Sequence, residues 1–265
     1  MHNAAFAALG LNWRYLAFEV HPDSLGAAIE GARAMGFAGL NLTVPHKLLA
    51  VDLVDTLDKS AKIWGAVNTI RFEPHGRAGS GRLRSVGFNT DADAIVASLR
   101  EELKIELRGA RVLLLGAGGA GRTAALKLAS EGVKELFLIN RTQSKAETIA
   151  HEIKKKFPSV RVSMDYPGTT VDLVMNATSL GLRPKDKVPF DEGRFSLTQA
   201  RAAYDMIYRP AETPFLKAAK KAGCEVSNGL GMLLYQGAKA FEIWTGARAP
   251  LGVMRRALEQ NIYGH

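Results

Sequence analysis

Val112-Leu113-Leu114-Leu115-Gly116-Ala117-Gly118-Gly119-Ala120-Gly121 is the stretch on which the fold turns. Four apolar residues without alternation describe a strand covered on both faces, as in a parallel sheet. The glycines that follow fit G-x-G-x-x-G, and a helical pattern runs over 119–131. Alone the glycine pattern is weak. Between a strand and a helix it has the context a dinucleotide site requires. The glycines at Gly116, Gly118, Gly119 and Gly121, with Ala120, let the backbone approach a pyrophosphate, and the helix N-terminus adds partial positive charge. The bland alternative is a structural glycine turn, which the flanking elements disfavour.

Outward from this stretch, strand and helix patterns alternate, the mark of a parallel α/β architecture. Strand 135–139 ends at Asn140-Arg141-Thr142. Sites that prefer NAD place an acid here for the ribose hydroxyls. An acid would repel a 2′-phosphate, whereas Arg141 pairs with one, and Thr142 and Lys145 add contacts. The expectation is therefore NADP. Helix 143–156, strands near 160–163, 171–175 and 202–206, and helices 213–222, 229–245 and 250–262 complete this direction. A long connection over 177–200 carries Pro184 and Pro189.

Toward the N-terminus, residues 3–10 read as helix. Leu16, Phe18 and Val20 alternate with Ala17 and Glu19, predicting a half-buried strand. Residues 23–35 read as helix, capped by Asp23 or Ser24 and closed by Gly36. A strand is expected from Phe37 to Leu42, then a Pro45 loop and a short helix over 46–52. Strands 66–73 and 82–88 flank a hairpin loop at 75–81, and helix 91–103 leads to the glycine-bearing block.

Composition narrows the function classes. Of 265 residues, 47% are hydrophobic, enough for packed cores and against disorder. Lys and Arg number 35 against 26 Asp and Glu, a net charge of +9 that favours anionic partners. The densest runs, Lys154-Lys155-Lys156 and Arg82-Leu83-Arg84, lack interleaved aromatics, so nucleic acid is not the expected partner. One cysteine, Cys224, excludes an internal disulfide, and the six histidines have no metal-ligand spacing. No apolar run reaches membrane-spanning length. A cytoplasmic location and no metal are expected.

Four further segments look chemical. They are Asn41-Leu42-Thr43-Val44-Pro45-His46-Lys47, Gly65-Ala66-Val67-Asn68-Thr69, Gly87-Phe88-Asn89-Thr90-Asp91 and Leu234-Tyr235-Gln236-Gly237-Ala238. Their polar side chains sit at strand ends or within an apolar helix. Buried polar groups need partners, and a polyhydroxyl ligand supplies several. Turn capping by Asn, Thr and Asp is the alternative for any one of them.

Together these motifs resemble the shikimate dehydrogenase family along the whole chain. N-L-T-V-P-H-K at 41–47, G-A-V-N-T at 65–69 and G-F-N-T-D at 87–91 are similar to its substrate-domain motifs. G-A-G-G-A-G at 116–121 and N-R-T at 140–142 are similar to its NADP motifs. N-A-T-S-L-G-L at 176–182 and N-G-L-G-M-L-L-Y-Q-G-A-K-A-F-E-I-W-T-G at 228–246 complete the set.

The resemblance implies reversible reduction of 3-dehydroshikimate to shikimate by NADPH. Lys47 and Asp91 are then the catalytic pair: hydride addition leaves an alkoxide, which a positioned ammonium stabilises and protonates. Thr43, Asn68, Asn89, Gln236 and Tyr208 are implied as substrate-binding. Asn140, Asn176, Thr178, Ser179, Gly229 and Met232 are implied on the cofactor side. The implied architecture is α/β with two domains around a cleft. A substrate domain takes 1–92 and 232–265, and a Rossmann-type NADP domain takes 93–231, in a monomer or homodimer. Two departures stand out. The family's Ser-x-Ser-Pro segment, taken to hold the substrate carboxylate, precedes Met-His-Asn, which here is Met1-His2-Asn3. Its strand is thus expected to be missing, leaving a sheet edge exposed. Ala92 and Ala94 replace glycines found in many members. Alternatives left open are a relative that also accepts quinate, and a non-catalytic NADP sensor.

Overall fold

The computed structural model describes residues 1–76, 81, 83–183 and 185–264. The chain divides into two compact units, Met1–Asp91 with Leu234–His265, and Ala92–Leu233.

The first unit opens with helix α1 (His2–Ala8), then α2 (Leu25–Ala34), β1 (Gly39–Asn41), α3 (His46–Leu49), β2 (Thr56–Leu57), α4 (Lys59–Trp64), β3 (Thr69–Pro74) and β4 (Leu83–Phe88). The strands form one sheet in the order β1-β3-β4-β2, antiparallel except for β2 beside β4. Helix α2 packs Leu25, Ile29 and Ala32 with Val67 and Ile70 from the sheet region. Helix α4 is punctuated locally. The Asp58 carboxylate accepts from Ser60 N at its start, and Gly65 closes it at φ 63°, a backbone conformation suited to glycine.

Helix α5 (Asp91–Leu103) leads into the second unit. There follow β5 (Arg111–Leu115), α6 (Gly119–Ser130), β6 (Glu135–Ile139), α7 (Gln143–Lys156), β7 (Arg161–Ser163), β8 (Val171–Asn176), β9 (Ala200–Asp205), α8 (Pro214–Lys221) and β10 (Glu225–Asn228). All six strands run parallel in the order β10-β9-β8-β5-β6-β7. This is the doubly wound dinucleotide-binding order, whose switch point lies between β5 and β8. The apolar run Val112–Leu115 is fully buried at the sheet's centre. Helices α9 (Leu230–Thr245) and α10 (Leu251–Tyr263) return the chain to the first unit. There Leu234, Ala238, Phe241 and Met254 enclose Ala5 and Phe6 of α1.

Several elements differ from expectation. Residues 16–20 form no strand, and Leu16 and Phe18 are 65% and 63% exposed. A strand needs a ladder partner as well as alternation, and this extended segment is held by side-chain contacts. Tyr15 bonds Asn41, Phe18 lies against Phe37, and His46 bonds Val20 O. Ser24 makes no side-chain cap; the His21 ring instead accepts from Asp23 N at a 3-10 turn over Pro22–Ser24. Strand β2, helix α4 and strand β10 were not expected, being too short to carry a period. The expected hairpin loop lies largely outside the described residues, as do Arg82 and Pro184. Among the described residues no helix is long and apolar enough to cross a membrane.

Candidate functional site

Polar side chains gather in each unit, and each set is described by itself. In the first unit, Lys47 stands on α3, whose position is fixed where Val67 N donates to Lys47 O at 2.8 Å. Lys47 Nζ donates to Asp91 Oδ2 at 2.7 Å. The lysine side chain is 29% exposed and the aspartate 12%, so the pair is partly desolvated yet open on the ammonium side. A charge-assisted bond of this length is strong for its kind. Asp91 begins α5, and its backbone N–H donates to Asn89 Oδ1 at 3.1 Å.

Asn68 secures the other carboxylate oxygen. Its Nδ2 donates to Asp91 Oδ1 at 3.0 Å and to Thr90 Oγ1 at 2.9 Å. Its Oδ1 accepts from Thr90 N at 2.8 Å and Thr69 Oγ1 at 3.3 Å. An amide offers two donors and two lone pairs, so Asn68 is fully engaged within the protein. Asn89 also braces: its Nδ2 donates to Ala66 O, and its backbone N–H donates to Ser60 Oγ. Asn68 and Asn89, expected to bind substrate hydroxyls, both brace Asp91. Thr43 is exposed between β1 and α3, and Gln236 is half-buried on α9. Tyr208, expected on the substrate side, is exposed and belongs to the second unit.

In the second unit the glycine turn leaves β5 at the switch point. Gly116 has φ 108°, and a Cβ there would lie 2.9 Å from the Ala177 backbone. A Cβ on Gly121 would lie 2.1 Å from Gly116 O, so this glycine lets α6 pack against the turn. Gly118 and Gly119 face open space, with nothing within 4 Å of a built Cβ. That is the cradle a pyrophosphate needs at the start of a 12-residue helix. Ala120 is exposed beside them.

At the end of β6, Asn140 staples two turns: Oδ1 accepts from Ala117 N at 3.0 Å and Nδ2 donates to Thr142 O at 2.8 Å. Arg141, Thr142 and Lys145 are exposed at the start of α7, whose first turn has no acidic residue. Neither the Arg141 nor the Lys145 side chain has an ion-pair partner among the described residues. Two unpaired cations at a helix N-terminus form an anion site that fits a 2′-phosphate.

After β8, Asn176 is wholly buried. Its Nδ2 donates to Leu180 O and Asp205 Oδ1, both at 3.0 Å, and its Oδ1 accepts from Thr178 N and Thr178 Oγ1. Asn176 and Thr178, expected to flank the cofactor, shape this loop, and Ser179 is exposed. Asp205, missed by sequence reading, accepts from Thr213 Oγ1 at 2.6 Å and Ile207 N at 3.0 Å. Burial pushes its carboxyl above the usual range. Gly229 leaves no room for a Cβ, which would lie 2.2 Å from Met206 O. Met232 is half-buried on α9. Asn41, Thr69 and Thr90 were also missed as bracing residues, although all three lie inside the motifs at 41–47, 65–69 and 87–91.

A doubly wound sheet with an open glycine cradle, and a separate α/β unit carrying a lysine–carboxylate pair, define a dinucleotide-dependent oxidoreductase. Residues 1–70 match the shikimate dehydrogenase substrate binding domain, 98–180 the shikimate / quinate 5-dehydrogenase model, and 229–259 the shikimate 5′-dehydrogenase C-terminal domain. The chain is 41% identical over 269 residues to shikimate dehydrogenase (NADP(+)) of Methanopyrus kandleri, covering 99% of this chain and 90% of that protein. The chain belongs to the shikimate dehydrogenase family.

Solved structures agree. One is the Thermus thermophilus shikimate 5-dehydrogenase in complex with NADP(H) and shikimate. It is 35% identical with a TM-score of 0.82, covering 98% of this chain and 92% of that one. A ligand-free 5-ketofructose reductase of a Gluconobacter species is 36% identical with a TM-score of 0.84, again at 98% and 92% coverage.

Proposed function

We propose that this chain catalyses the reversible NADP-linked interconversion of 3-dehydroshikimate and shikimate, with Lys47 and Asp91 as the catalytic pair. The single observation that carries the reading is the 2.7 Å bond from Lys47 Nζ to an Asp91 carboxylate anchored on its other oxygen by Asn68. NADP supplies the hydride chemistry when bound. Gly118, Gly119 and Ala120 would hold its pyrophosphate, and Arg141 with Lys145 its 2′-phosphate. Gly229, Met232 and Ser179 fall to the nicotinamide side.

The chain's own work is proton handling and positioning. In the reducing direction the Lys47 ammonium donates a proton to the ketone oxygen as its negative charge develops. In the oxidising direction the neutral amine takes that proton from the hydroxyl. Asp91 fixes the ammonium's direction, and Asn68 and Asn89 fix Asp91. Thr43 and Gln236 supply polar contacts to the ring substituents. A cytoplasmic location is part of the proposal, supported by the free thiol of Cys224. So is a monomer or homodimer, which light scattering tests.

A second reading, reduction of a different polyhydroxy ketone, is favoured by the 36% identity to 5-ketofructose reductase. Absorbance decides: shikimate with NADP+ should generate NADPH, and Lys47→Ala should lose at least about 100-fold of that rate while keeping NADP affinity. A rate with quinate or a reduced sugar but none with shikimate overturns the substrate. NADP binding without turnover of any of them points to a sensor.

A further inference from the structure

Behind the Lys47–Asp91 pair runs a chain of hydrogen bonds in the first unit whose direction is set at every step. Tyr15 Oη donates to Asn41 Oδ1 at 3.0 Å. The Asn41 amide nitrogen donates to Asn68 O at 3.2 Å and to Thr69 Oγ1 at 3.0 Å. A hydroxyl has one proton to give. Thr69 receives a hydrogen bond from Asn41, so its own proton goes to Asn68 Oδ1 at 3.3 Å. Asn68 Oδ1 also accepts from Thr90 N at 2.8 Å, so its Nδ2 meets Asp91 Oδ1 at 3.0 Å, which leaves Asp91 Oδ2 for Lys47 at 2.7 Å. Reversing Asn68 would set its NH2 group against Thr90 N–H, and reversing Asn41 would set its Oδ1 against the Asn68 carbonyl.

We propose that Tyr15 and Asn41 are positioning residues for the reaction: the Tyr15 phenol holds Asn41, and Asn41, through Thr69 and the Asn68 carbonyl, holds Asn68 in place against Asp91. The inference rests on Lys47 and Asp91 being the catalytic pair. Tyr15 is itself well anchored. Asn3 brackets its backbone, accepting from Tyr15 N at 2.7 Å and donating to Tyr15 O at 3.0 Å. Its ring stacks on His2 with centroids 4.4 Å apart. Burial pushes the phenol up from its ordinary value, so it remains a donor at neutral pH.

Tyr15→Phe keeps the ring and removes only the hydroxyl. Thr69→Val keeps the shape and removes the relay. Each should lower kcat about 3- to 10-fold with NADP KM nearly unchanged, and the double variant should lose no more than the worse single. Each should also shift the pH profile of kcat, because the proton-handling pair is less well held. A structural brace would lower Tm and leave that profile where it was, and this outcome overturns the proposal. So does a profile moved by Thr69→Val but not by Tyr15→Phe. If Tyr15→Phe does not fold, Asn41→Leu carries the same expectation and the same refutation. Lys47→Ala is measured alongside. Turnover surviving in it sinks the catalytic reading itself, whereas lost turnover there with an unmoved Tyr15→Phe sinks only the positioning role.

Discussion

Acidification should unfold the first unit through His2. This imidazole is 3% exposed, and neither ring nitrogen has a hydrogen-bond partner among the described residues. It lies between Tyr15 and Trp244, with ring centroids at 4.4 and 5.4 Å. Burial lowers its pKa from 6.5 to about 4. The folded protein therefore holds this proton less tightly than the unfolded chain does. The neutral ring's contribution is complete above pH 6.5 and is lost as the pH falls toward about 4. At about 1.4 kcal/mol per pKa unit, the loss across that window is about 3 kcal/mol. His2→Phe keeps an aromatic ring in the stack and removes the titration. All three tryptophans, Trp13, Trp64 and Trp244, belong to the first unit, so urea unfolding followed by tryptophan fluorescence reports this unit. The stability gap between wild type and His2→Phe should move in the variant's favour by roughly 2–3 kcal/mol between pH 7.5 and 4.5. Carboxylate titrations common to both proteins cancel. A gap that stays flat across that range refutes the reasoning.

Three further outcomes are expected. Gly118→Ala meets open space and should leave Tm alone while weakening NADP binding, whereas Gly121→Ala collides with Gly116 O and should lower Tm by roughly 4 °C or more. Calorimetry and a binding titration separate the two. Arg141→Ala should raise NADP KM about tenfold and leave NAD KM nearly unchanged, so equal effects on both cofactors would remove the 2′-phosphate assignment. Cys224 is buried, its Sγ–H bonded at 3.3 Å to Leu197 O and Ala200 O, and burial pushes its thiol up. Thiol reagents should label it only in denaturant, and rapid labelling of the native protein would contradict that burial.

Legibility differed between the two units for physical reasons. Strand β5 is covered on both faces, so its apolar run is unbroken, and glycine is the only residue that fits at Gly121. These constraints leave marks on neighbouring residues along the chain. Two of the four strands of the first unit, β1 and β2, have three and two residues, too short for a period to show. Leu16 and Phe18 alternate as a strand would, but hydrogen-bond ladders are tertiary facts. The site motifs could be read from residue type alone, and so could the presence of Lys47 and Asp91 within them. What could not be read was the direction of each amide. Asn68, Asn140 and Asn176 look like ligand contacts in a motif, yet their bonds are made to backbone and side chains brought together only by folding.

The second unit is one uninterrupted stretch, Ala92–Leu233, inserted into the first. During synthesis all of it is made before its host is complete. Phe6 is made early, but Phe241 and Met254, which enclose it, come more than 200 residues later. The nucleotide-binding unit can therefore fold co-translationally on its own schedule. The unit carrying Lys47 and Asp91 is completed only by the C-terminal helices, so its packing is the later event.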